Sequence, residues 1–131
     1  NPEAAERITN AIAFKRRMID AAGGALTAEK VRALLGHKTI QAVYKAVKDR
    51  RLLMVEDNGT KLFPVFQFDG NAIIPGISKV LSAAPHTTGW AILQFLVGGD
   101  EGLDGLSPIT LLKGSDAEVE RVVRFAHTLE D

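Results

Sequence analysis

In 131 residues there is room for one compact domain or two very small ones packed together. No Cys is present, which excludes disulfides and thiolate metal sites, and no apolar run approaches the roughly 20 residues that span a bilayer. The formal net charge is zero, yet residues 1–64 carry twelve Lys/Arg against seven Asp/Glu, while residues 65–131 carry four against nine.

That split points to two surfaces with different partners, the basic one a candidate for nucleic acid. A first helix is expected over residues 3–22. Ile8, Ala11, Ile12, Lys15 and Ile19 share one face of it, with Phe14 and Met18 beside them, and Gly23-Gly24 ends it. Thr27 caps the next helix and Glu29 favours its first turn. Val31, Leu34 and Leu35 supply its buried stripe until Gly36. The turn His37-Lys38-Thr39 leads into a further helix over residues 40–50, where Ile40, Val43, Tyr44 and Val47 repeat at spacings of three and four. Two short helices around a Gly-containing turn make the helix-turn-helix plan.

Two apolar runs follow, Leu52-Leu53-Met54-Val55 and Leu62-Phe63-Pro64-Val65-Phe66, separated by a segment holding Asn58-Gly59. Asn-Gly is a strong hairpin signal because both residues tolerate positive φ, and a hairpin after a recognition helix is a wing. Pro64 confines the second strand to an edge or a strand end. Residues 66–76 read as a connector with turns at Asp69-Gly70 and Pro75-Gly76. The acidic half then reads as helical over residues 77–84 and 88–97. A loop over 100–107 leads to a short piece opened by Ser107 and Pro108, and a final helix covers 116–129, with Ser115 and Glu118 forming a capping box. The expected fold class is mostly α, or α+β. A winged helix-turn-helix occupies residues 1–70 and a small helical interaction domain occupies 71–131.

A helix entering the major groove presents polar side chains to base edges and cations to phosphates. Lys38, Thr39, Gln41 and Lys45 have that chemistry: Gln pairs bidentately with adenine, and Lys reaches guanine or phosphate. Lys48, Arg50 and Arg51 are placed to follow the backbone, and Lys61 sits where a wing could touch it. The competing reading is a three-helix packing module whose lysines are merely solvated. Catalytic signals are weak, because His37, His86 and His127 are scattered, with no metal-binding pair. Gly98-Gly99-Asp100-Glu101-Gly102 lacks the Lys-Ser/Thr of a phosphate loop. Neither an enzyme nor a cofactor is expected. Trp90 lies on an apolar stripe, so core and interface anchor both stay open.

Trp90, Phe95-Leu96, Leu103-x-Gly105, Ser107-Pro108, Leu111-Leu112, Gly114 and the closing Val-rich helix resemble the toxin-binding domain of the Xre/MbcA/ParS antitoxin family. The match covers about residues 77–130. The segment from Leu34-Leu35-Gly36 through Ala42-Val43-Tyr44-Lys45 to Phe63-Pro64-Val65-Phe66-Gln67-Phe68 looks like the DNA-binding front half of some members. The resemblance implies an antitoxin whose rear half occludes a cognate toxin, often a RES-type toxin that consumes NAD, and whose front half binds its own promoter. Trp90, Asp100, Glu101, Asp104, Glu118 and Glu130 are the residues expected to meet the toxin, an acidic surface suiting a basic cleft. The expected partners are that toxin and double-stranded promoter DNA, with a homodimer reading a palindrome and the C-terminal helices as its preferred face. No membrane partner is expected. The opening residues 1–6 lack the regions of a secretory signal, so the expected location is the cytoplasm. The alternative is a stand-alone helix-turn-helix regulator whose rear half only dimerises.

Overall fold

The computed structural model of the chain describes residues 1–98 and 103–131. The fold is mostly helical, with small antiparallel sheets. In chain order the elements are α1 (Pro2–Ala21), β1 (Ala25–Leu26), α2 (Ala28–Leu35), α3 (Ile40–Lys48), β2 (Val55–Asp57) and β3 (Thr60–Pro64), then a 3-10 turn (Val65–Gln67). There follow β4 (Phe68–Asp69), β5 (Ala72–Ile73), α4 (Pro75–Ala83), α5 (Gly89–Val97), α6 (Pro108–Leu111), α7 (Asp116–His127) and a closing 3-10 turn (Thr128–Glu130).

Local chemistry accounts for most of these boundaries. Thr27 accepts a hydrogen bond from the Lys30 amide at the start of α2, and Thr39 accepts one from Ala42 at the start of α3. Ser115 and Glu118 form the reciprocal capping box of α7. The β2–β3 hairpin turns on Asn58-Gly59, with φ of 52° and 85°, and its register sets Glu56 opposite Lys61 and Val55 opposite Leu62. Three features differ from the sequence expectation. Strand β1 is only two residues long and pairs Ala25 with Pro64 and Leu26 with Phe63; no periodicity announces so short a strand. Helix α4 starts at Pro75, because a proline at the first helical position is pre-set for the helix and is not confined to a turn. Helix α3 ends at Lys48, since Arg50 takes a left-handed backbone with φ of 60°.

Two adjoining cores hold these elements. The smaller gathers Val31 from α2, Val43 and Ala46 from α3, then Leu52 and Phe63. The larger is built on Ile77 and Val80 of α4, Ile92, Leu93 and Leu96 of α5, and Val122 and Ala126 of α7, and it also takes in Ala22, Leu53, Val55 and Phe66. Leu52 and Leu53 therefore send neighbouring side chains into different cores. Their backbone is not in a ladder at this point. The side chain of Gln67, wholly buried, accepts from the Leu53 amide at 2.9 Å and donates to the carbonyls of Leu53 at 2.9 Å and Pro64 at 3.0 Å. Among the described residues no buried side-chain polar atom lacks a partner. Gly89 opens α5 against this same segment; a Cβ there would lie 2.4 Å from the Met54 carbonyl oxygen.

Gln67→Leu keeps the volume but strands the Leu53 amide and carbonyl in a dry interior. It should lower unfolding free energy by about 3 kcal/mol or more, measured by urea denaturation. A change within about 0.5 kcal/mol would show that the clasp does not hold the cores together.

Candidate nucleic-acid interface

Helix α3 divides cleanly along its axis. Val43 and Ala46 are wholly buried, Ile40, Tyr44 and Val47 are half-buried, and Gln41, Lys45 and Lys48 are exposed. The three exposed side chains sit at i, i+4 and i+7, one row on the face opposite the core. Lys38 lies exposed in the turn before them. Arg32 fixes that turn: it grips Glu29 with two guanidinium nitrogens and donates to the His37 carbonyl at 2.9 Å. The row is thus presented by a helix that is capped, packed and entered through a pinned turn.

Lys61 joins the row from the hairpin. Its ammonium lies 5.1 Å from the ring centroid of Tyr44, a cation–π arrangement. The cation is therefore drawn toward α3 at Tyr44, whose helical neighbours at i−3 and i+4 are Gln41 and Lys48. Tyr44 is the member the sequence pattern misses, because its position in the apolar repeat reads as interior. The ring packs against the smaller core and offers its remaining surface to Lys61.

Not every cation is available. Lys45 donates to Asp49 at 2.7 Å, and Arg51 lies 3.5 Å from the same carboxylate. The hydrogen bond from Lys45 holds the Asp49 carboxyl below the ordinary carboxylate range. A phosphate must displace this exposed contact to engage Lys45. Thr39 has a local role as well, since its hydroxyl oxygen caps α3. Arg50 departs from the expectation altogether. Its guanidinium turns to the rear half and donates to the carbonyls of Leu81, at 2.8 and 2.5 Å, and Ala84 at 3.1 Å. That arrangement satisfies the C-terminal end of α4 and takes Arg50 out of the phosphate-facing set.

The residues expected to meet a toxin do not converge. Glu118 is engaged in the capping box, and Glu130 accepts from the His86 amide at 2.9 Å and from the Thr87 hydroxyl. Glu118 lies in the first turn of α7 and Glu130 beyond its last, and the twelve residues of the helix span about 18 Å. Asp104 pairs loosely with Arg121 at 3.7 Å, and Asp100 and Glu101 lie outside the described residues. Trp90 is half-buried against the larger core and donates to the Glu56 carbonyl at 3.0 Å. Lys15 sits 5.5 Å from its ring centroid and bonds Asp57 at 3.1 Å. Trp90 therefore fastens α5 to the hairpin and α1, which favours the core reading of this side chain.

No helix among the described residues is long and apolar enough to cross a membrane. No protein-family model, curated protein or solved structure matches the chain.

Hydrogen bonds from Thr87 and His86 hold the Glu130 carboxyl below its usual range. A depressed folded-state pKa stabilises the fold fully above the unfolded value, and that contribution is lost as pH falls through the folded one. Glu130→Gln should therefore be less stable than the parent at neutral pH and lose less on acidification below about pH 4. Parallel acid-unfolding curves for the two proteins would remove this carboxylate from the account.

Proposed function

We propose that the front of the chain is a winged helix-turn-helix module that lays α3 in the major groove of duplex DNA, and that the protein regulates transcription from its own promoter. The observation that carries this reading is the row Gln41, Lys45, Lys48: groove-compatible side chains, all exposed, on a helix whose other face is sealed in a core. From Gln41 to Lys48 the row rises about 10.5 Å, close to the roughly 12 Å width of the B-form major groove. Gln41 reads adenine, Lys45 reaches guanine or phosphate, and Lys38, Lys48, Arg51 and Lys61 neutralise phosphates on either side. The order α1-β1-α2-α3-β2-β3, with β3 between β1 and β2, supports the winged plan.

The second reading, an antitoxin whose rear half binds a cognate toxin, comes from the resemblance of residues 77–130. One observation favours it. Leu106, between Gly105 and Ser107-Pro108 of the resembling segment, is 47% exposed. Leu106 is exposed and open to a partner, whereas Trp90 is half-buried and already held by the hairpin. On this reading the promoter-bound form and the toxin-bound form use opposite halves of the chain.

Anisotropy with labelled duplexes tests the first reading. Gln41→Ala should cost about 1–3 kcal/mol on the preferred sequence and little on random duplex. Lys48→Ala should weaken both and lower the salt slope by about one. Asp49→Asn should tighten binding by freeing Lys45. Affinities untouched by all three substitutions would take α3 out of the interface.

For the second reading, co-expression with the neighbouring gene product and size-exclusion chromatography give the answer. Leu106→Asp should abolish co-elution while leaving the unfolding midpoint in place. If the parent chain does not co-elute either, the stand-alone regulator is the function that remains.

A further inference from the structure

The hairpin brings little positive charge of its own. Across residues 55–64 the charged side chains are Glu56, Asp57 and Lys61, two carboxylates to one cation. Asp57 is paired with Lys15 of α1 at 3.1 Å. Glu56 remains, and the β2–β3 register sets it directly opposite Lys61. Opposed residues of an antiparallel pair project from one face with Cβ atoms about 5 Å apart, so an exposed Glu–Lys pair is the expected outcome. It does not form: no ion pair among the described residues includes Lys61. The ammonium lies instead 5.1 Å from the ring centroid of Tyr44. The pleat explains the direction. Phe63, two residues on and so on the same face, is buried in the smaller core with Val43 and Ala46 of α3, whereas Val55 and Leu62 turn to the larger core.

We infer that Tyr44 is a positioning residue of the proposed duplex-binding face: its ring holds the Lys61 ammonium away from Glu56 and over α3, where it meets a phosphate beside the groove. The two contacts open to Lys61 attract with similar strength at an exposed site, but they leave different charges. A contact with Glu56 cancels the cation, and a phosphate must then displace a carboxylate to reach it. An aromatic face carries no net charge, so the ammonium keeps its own charge and its outward N–H groups. Half-burial suits Tyr44 to this task. One side of the ring packs on the smaller core, which fixes it, and Gln41, Lys45 and Lys48 border it in one shallow groove whose carboxylate, Asp49, is already paired with Lys45. A leucine at this position would pack on the same core and hold no cation. The inference rests on the reading of α3 as the duplex-binding helix and adds to it a residue that acts through Lys61.

Anisotropy with a labelled duplex from the upstream region, repeated over a salt series, tests it. Lys61→Ala should lower the slope of log K against log salt by about one. Tyr44→Leu should lower it by the same amount, and the double substitution by no more than either. Tyr44→Phe keeps the ring and should keep the parent slope. Glu56→Gln should restore most of the loss in the Tyr44→Leu chain and change the parent little. Losses that add, a Tyr44→Leu chain that binds as the parent does, or a Lys61→Ala chain with the parent slope would overturn the role of Tyr44 and leave the reading of α3 standing. A parent chain indifferent to duplex at low salt ends both. A DNA-free measurement on the parent covers the case in which Tyr44→Leu fails to fold. The ε-methylene protons of Lys61 should resonate upfield of those of the exposed Lys30 and Lys38, through the ring current of Tyr44. A Lys61 resonance level with theirs would also overturn the assignment.

Discussion

One buried carboxamide governs how the two halves of this protein meet. Gln67 closes a three-bond clasp on the backbone of Leu53 and the carbonyl of Pro64, replacing ladder bonds that a strand would have supplied. Freed from a ladder, Leu52 and Leu53 point into different cores. The same stretch of chain is fastened at three further points: Arg50 to the end of α4, Met54 against Gly89, and the Glu56 carbonyl to Trp90. Residues 50–56 are thus a seam on which α3 and its hairpin are held to α4 and α5. A clasp of this kind is demanding, since an unsatisfied amide or carbonyl in a dry interior costs about 1–3 kcal/mol.

The seam decides which charges remain for partners. Arg50, just past the end of α3, is consumed in holding the fold, whereas on the outer row of α3 Lys45 pairs with the exposed carboxylate of Asp49. In the rear half the balance is reversed. Glu118 and Glu130 use their carboxylate oxygens to hold a helix N-terminus and a loop amide, so both have structural partners within the fold. The proposed duplex contact rests on the exposed row of α3, and the proposed toxin contact on the exposed Leu106.

Much of this was legible in the residues. The caps at Thr27 and Ser115, the Asn58-Gly59 hairpin and the inward row of α3 all follow from local rules, because each is set by neighbours within four residues. The roles of Arg50, Gln67, Trp90 and Glu130 were not legible, since their partners lie 31, 14, 34 and 44 residues away. Charge counting treats every arginine and glutamate as free, and only tertiary geometry shows which are engaged. Gln67 sat in what reads as a connector, and nothing in its flanks announces complete burial. Tyr44 shows the opposite error: an apolar repeat marks it as interior, although one side of its ring serves the surface through Lys61.

The outer face of α3, with Lys61 drawn to its Tyr44, is the surface proposed to meet DNA. Amide chemical-shift mapping during titration with a duplex from the upstream region addresses it directly. Shifts should concentrate in residues 38–48 and at Lys61, with α7 unmoved. Shifts confined to α7, or a spectrum indifferent to DNA at low salt, would contradict it.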